Sequence, residues 1–182
     1  METAVPTVDL SLQGEYLDAV CAIASREDWQ TWLQAWLAYL CPNLSPINTY
    51  ELSIQFISDE TITAFNAQYR QQDRATDVLS FAMSDNDALL PTAMWQQIPY
   101  NLGDLLISVE TAQKQCDARG HSLLEELVWL TAHGFLHLLG WDHPDEVQLQ
   151  EMLSMQQKLL AYIGLKLSNS MYFTEDHTVP LP

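Results

Sequence analysis

The chain has 182 residues, 48% of them hydrophobic, and a net charge of −17 from 24 acids against seven lysines and arginines. That length suits one domain with a single sizeable core, and an apolar fraction this high, with six tryptophans, excludes a disordered chain. The acidic balance works against nucleic-acid binding over the surface as a whole, because phosphate contact rests on basic side chains. It favours solubility and a basic protein partner. Four of the seven cations, Arg70, Arg74, Lys114 and Arg119, fall in the middle third, which leaves room for a local positive cleft on an acidic body.

No apolar run approaches the roughly 18 residues of a membrane span, so no membrane association is expected. The start, METAVPTVDL, has no basic region followed by an apolar stretch. Cys21, Cys41 and Cys116 are scattered and form no C-x-x-C pair. A cytoplasmic protein with reduced thiols is the expectation.

VDLSLQ (8–13) alternates apolar and polar residues, which predicts an edge or half-buried strand. A helical region follows. Ser25 and Asp28 can cap its second part, where Trp29, Trp32, Leu33, Trp36, Leu37 and Leu40 recur at helical spacing. This stripe reads as core, not as a base-stacking surface. ELSIQFIS (51–58) is a strand with Leu52, Ile54 and Phe56 on one face. Ser58 or Asp59 caps a helix to about Arg70, with Ile62, Phe65 and Tyr69 on its inner side.

TDVLSFAM (76–83) is a short buried strand, 84–100 a loop or insertion broken by Pro91 and Pro99, and LGDLLISVE (102–110) a further strand. Residues 120–140 form the clearest helix, with Ser122 and Glu125 as a capping box and Gly140 as its stop. A last helix spans 145–164. With no repeat and no internal linker, one small α+β domain is expected over 1–165, a mixed sheet packed with several helices, followed by a polar tail over 166–182.

HGFLHLLGWDH (133–143) holds three of the five histidines. His133 and His137, four residues apart on a helix, share one face, about 6 Å apart along the axis. Gly140 permits a left-handed helix end, after which the chain reverses and His143 approaches the same point. That pattern places a metal site at the end of a central helix, with a fourth position left for water or substrate, as in catalytic zinc sites. All-imidazole ligands point to Zn2+, with nickel or another divalent ion as alternatives. Asp142 reads as a turn residue, with orienting the second nitrogen of a histidine ligand as the alternative, and His121, about three turns before His133, as a surface or capping-region histidine.

The spacing is that of zinc peptidases carrying H-E-x-x-H-x-x-G-x-x-H. Here Gly134 stands where those enzymes carry the glutamate that acts as general base. A metallopeptidase is therefore the weaker reading.

HGFLHLLGWDH resembles the H-G-x-L-H-L-x-G-x-D-H signature of the YbeY family of bacterial endoribonucleases and rRNA maturation factors. FNAQYRQQDRATDVLSF (65–81) resembles that family's arginine-bearing helix end followed by T-[DN]-V-L-[ST]-F, and LGDLLIS (102–108) its L-G-D-I-x-I-S strand. The three matches come in order over roughly 50–165.

The resemblance implies a zinc-dependent endonuclease specific for single-stranded RNA, acting in ribosomal RNA maturation and ribosome quality control. It also implies an α+β sheet with helices around a cleft. His133, His137 and His143 match the zinc ligands, and Arg70 matches a cleft arginine that matters for function. From the residues alone, Arg70 reads as a helix-end cation. The loop after that arginine is commonly basic in the family, whereas QQDRATD has Arg74 as its only cation. A metallopeptidase remains an alternative, as does a non-catalytic zinc-binding assembly factor whose acidic surface grips ribosomal proteins.

Overall fold

The computed structural model describes residues 5–83 and 97–166. Among them run β1 (Thr7–Gln13), α1 (Leu17–Ile23), α2 (Arg26–Leu40), β2 (Thr49–Ile57), α3 (Asp59–Arg70), β3 (Val78–Ala82), β4 (Tyr100–Ser108), α4 (Val109–Arg119), α5 (Leu123–Leu138) and α6 (Glu146–Tyr162). The strands make one sheet in the order β1-β2-β4-β3. β1, β2 and β4 are parallel, and the edge strand β3 runs antiparallel to β4. This is the small α+β mixed-sheet architecture the sequence implies. The expected insertion over 84–100 falls largely outside the described residues, as does the expected tail beyond Lys166.

The alternation in the strands divides the sheet into two faces. On the larger face Leu52, Ile54, Phe56, Leu105 and Ile107 meet Trp29, Leu33 and Trp36 of α2, Phe135 and Leu136 of α5, and Leu159 of α6, all buried. Trp29 and Phe56 lie with ring centroids 5.2 Å apart, and Trp36 Nε1 donates to Leu159 O at 2.8 Å, which ties α2 to α6. The Trp stripe is thus core for Trp29 and Trp36, with Trp32 packed at its margin. On the smaller face Ile57, Leu79 and Leu106 are covered by Ile62 of α3.

Three local expectations need correction. The strand over 102–110 ends at Ser108, whose hydroxyl accepts a hydrogen bond from Thr111 N at 3.2 Å and starts α4. That helix buries only Val109, Ala112 and Cys116, a stripe too thin to show as a periodic apolar pattern. Tyr69 is not on the inner side of α3: it is 58% exposed, its ring edge-on to Phe81 of β3 at 5.1 Å, while Asn66 is the buried residue. The last turn of α3 lies over the sheet edge, where one side of the tyrosine stays in water. The third correction, His121, belongs to the site.

Gly103 explains the L-G-D turn of phrase in β4. Its φ is +119°, and a Cβ there would lie 2.0 Å from Phe81 O, so β3 and β4 approach too closely for any side chain. Among the described residues no helix is long and apolar enough to cross a membrane, and the three cysteines are free.

Candidate metal centre and its cleft

α5 carries the centre. Ser122 and Glu125 form its reciprocal capping box, and from Glu126 onward most of its residues are buried between the sheet, α4 and α6. His133 and His137 are half-buried and face a cleft of ≈ 420 Å³. Gly140, at φ +87°, reverses the chain, with Trp141 N donating to Leu136 O at 3.0 Å across the helix end. His143 returns to the same side, its ring centroid 5.5 Å from that of His133 and 5.1 Å from that of His137. One ring nitrogen from each of the three lies within 4.8 Å of the others.

Two further contacts decide which nitrogens face each other. The buried Gln156 of α6 donates its Nε2 to Trp129 O at 3.4 Å, which turns its amide oxygen towards His133. His133 Nδ1 therefore carries the proton and donates to Gln156 Oε1 at 3.1 Å. His137 Nδ1 likewise donates to Trp141 O at 2.9 Å. Both Nε2 atoms then present lone pairs, 3.1 Å apart. Two bare lone pairs at that distance repel unless a cation lies between them. Nitrogens bonded at ~2.0–2.1 Å to one tetrahedral ion stand about 3.3 Å apart, so the donor set fits a divalent ion that accepts imidazole.

The electrostatics favour the neutral form of His133 and His137. Burial pushes the His133 imidazolium down to about 4, helped by the neighbouring His137 and partly opposed by the Gln156 hydrogen bond. Burial also lowers His137, followed by the influence of His143, with Arg70 adding to it. Neutral imidazole is the form that binds metal.

Arg70 is the last residue of α3 and is exposed. The loop after it is pinned from beneath, because Asn66 Nδ2 donates to Arg74 O at 2.8 Å. This leaves Arg70 lining the same cleft as the three histidines. Asp142 is exposed and accepts from His143 N at 2.8 Å, which is a turn contact as expected. Gly134 points at the sheet. A Cβ there would meet Leu105 Cδ2 at 2.7 Å, Ser80 Oγ at 3.0 Å and Val78 Cγ2 at 3.2 Å. The position that carries glutamate in H-E-x-x-H peptidases has no room for a side chain here, which disfavours the peptidase reading.

His121 is not a surface histidine. Its side chain is 2% exposed and its Nε2 meets Glu126 Oε2. Glu126, also fully buried, accepts from Arg119 Nη1 at 2.9 Å through its other oxygen. Glu126 and Arg119 line the cleft, as do Asp77 and Gln115, which are joined by a 3.0 Å bond from Gln115 Nε2 to Asp77 Oδ2. Sequence reading missed this second group. The signals for it are Arg119 among the mid-chain cations and Glu126 seven residues before His133, on the same stripe of α5.

Fold and site together define a small α+β domain whose cleft gathers three imidazoles suited to a metal ion. The model of the family described as Endoribonuclease YbeY matches residues 18–164, and the chain belongs to that family. It is 49% identical over 142 residues to Endoribonuclease YbeY of Acaryochloris marina, a match covering 78% of this chain and 80% of that one. It is 47% identical over 162 residues to Endoribonuclease YbeY of Synechocystis sp., covering 86% and 90%. A Thermotoga maritima protein of known solution structure shares the fold at a TM-score of 0.55, with 21% identity and coverage of 85% of this chain and 89% of that one.

Proposed function

We propose that this protein is a zinc-dependent endoribonuclease that cuts single-stranded RNA in ribosomal RNA maturation and ribosome quality control. The observation that carries the reading is the gathering of three imidazoles and Arg70 on one cleft, in a chain of the Endoribonuclease YbeY family. In this reading His133, His137 and His143 hold one Zn2+. Bound there, the ion would supply Lewis acidity to activate water and to draw charge from a phosphoryl oxygen.

The protein's own groups do the remaining work. Gln156 Oε1 and Trp141 O hold the His133 and His137 rings by their Nδ1 protons and so aim both Nε2 atoms at the cleft. Arg70 presents paired guanidinium donors to the phosphate and offsets the charge that builds on it as the bond to the leaving oxygen breaks. Residues 1–165 act as one domain with 166–182 as its tail. The protein works in the cytoplasm, where its acidic surface also suits basic ribosomal proteins or assembly factors.

The test pairs wild type with Arg70→Ala and His133→Ala on structured rRNA fragments and on unfolded protein, with metal analysis of each. Wild type is expected to cut RNA and to hold about one zinc ion per chain. Both variants lose cleavage, but Arg70→Ala keeps its metal. Proteolysis with RNA left intact would overturn the reading.

A further inference from the structure

The cleft contains a second arginine that the metal centre does not use. Arg70 and Arg119 are the Lys/Arg side chains on its wall, in a chain with seven such residues and a net charge of −17. Arg119 ends α4 and its side chain is 29% exposed. Its Nη1 donates to Glu126 at 2.9 Å, and Glu126 has a side-chain exposure of 0%.

A buried carboxylate is costly, and the ion pair that offsets the cost is a weak source of net stability. The position of this pair is more informative than its strength. Glu126, His133 and His137 lie along one stripe of α5. Seven residues of helix separate Glu126 from His133, a rise of about 10 Å. His121 engages the second oxygen of Glu126, which locks the carboxylate so that its grip on Arg119 has one orientation. The guanidinium is thereby held at the cleft wall by a residue about two helical turns from His133.

A single-stranded nucleic acid carries one charge per nucleotide along its backbone. A strand with one phosphate at the histidines presents a neighbouring phosphate further along the cleft. Guanidinium is the side chain best suited to bind it.

We propose that Arg119 is a second phosphate-holding side chain of this cleft, which grips a backbone phosphate of single-stranded RNA one or two nucleotides from the one at the three histidines, and that Glu126 positions it. This rests on the endoribonuclease reading. It also adds a cation to the path of the strand, where the loop after Arg70 has Arg74 alone. Arg119 acts on binding and not on bond cleavage.

The experiment uses metal-loaded full-length protein and short single-stranded RNAs. Arg119→Gln is expected to raise KM roughly tenfold, the effect of one lost hydrogen bond to a charged group, while kcat holds. The slope of log(kcat/KM) against log salt becomes shallower by ~0.7, the value for one phosphate contact on a single strand. Replacing phosphates one at a time by neutral methylphosphonate should reveal one position, away from the cleaved bond, that slows wild type but not the variant.

Because Arg119→Gln removes the cation from one oxygen of buried Glu126, with His121 still on the other, the double variant Arg119→Gln with Glu126→Gln is measured in parallel, with its melting temperature. It should show the same slope and the same missing methylphosphonate effect. Unchanged salt slopes, with every methylphosphonate penalising wild type and variants alike, would overturn the inference while leaving RNA cleavage standing. Wild type that leaves RNA intact would overturn both readings together.

Discussion

Gln156 and His133 stand on different helices, 23 positions apart, yet the amide oxygen of one holds the ring proton of the other at 3.1 Å. This contact selects the nitrogen that faces the cleft. Gln156→Leu removes the acceptor at little change in volume and leaves the His133 Nδ1 proton without a partner. Metal affinity is expected to fall about 10–100-fold, the usual effect of losing such a supporting contact. Competition with a chromogenic chelator measures it. An unchanged affinity would show that packing alone orients the ring.

Gly134 sits where α5 presses closest to the sheet. Gly134→Ala gains about 1 kcal/mol of helix propensity. It also forces a methyl to within 2.7 Å of the fully buried Leu105 side chain and 3.2 Å of Val78. Overpacking of this kind costs about 1–3 kcal/mol. The net expectation is a lower melting temperature in thermal unfolding, by up to about 2 kcal/mol of stability. Leu105→Val, combined with it, should recover part of the loss, since the two changes share one space. A Gly134→Ala protein as stable as wild type would show that α5 can lift off the sheet at no cost.

Much of the fold was legible because its signals are local. The Ser25–Asp28 and Ser122–Glu125 boxes mark helix starts by their own hydrogen bonds. The alternation of Leu52, Ile54 and Phe56 marks a strand buried on that face. The convergence of His133, His137 and His143 was legible for the same reason: helix pitch and one glycine set it. α4 was not legible, because it is held by a hydroxyl cap and three small buried residues, not by a broad apolar stripe. Contacts between distant segments were also hidden. No spacing rule joins Gln156 to His133, or turns His121 inward onto Glu126. Arg70 entered through family resemblance, since a helix-end cation does not by its spacing disclose which cleft it lines.

Acid sensitivity should have a contribution from Asp59. Burial raises its carboxyl, but hydrogen bonds from Lys114, Ser108 and Thr111 outweigh that and hold it below its ordinary value of 3.8. A carboxyl depressed in the folded state stabilises the fold at pH above its unfolded value, and the contribution is lost as pH falls through the folded one. Asp59→Asn should therefore reduce stability near neutrality and flatten the decline below about pH 4. Lys114 is 71% exposed, so its share of the effect should shrink as salt rises. Urea unfolding across pH 2–7, at low and high salt, checks both statements.

The two readings of Arg70 part company when stability and turnover are measured on the same variant. As an exposed cation in the last turn of α3, its removal costs about 0.3–1 kcal/mol of stability and nothing more. As the group facing the phosphate, its removal costs on the order of 10²–10³ in kcat, the scale of one lost charge-stabilising donor set. Arg70→Ala should thus keep its metal and nearly all of its melting temperature while RNA cleavage collapses. Arg70→Lys keeps the charge but loses the paired planar donors, so it should fall between wild type and alanine. If lysine restored full activity, charge alone would be what the cleft requires. If alanine cut RNA at the wild-type rate, Arg70 would be only a helix-end cation.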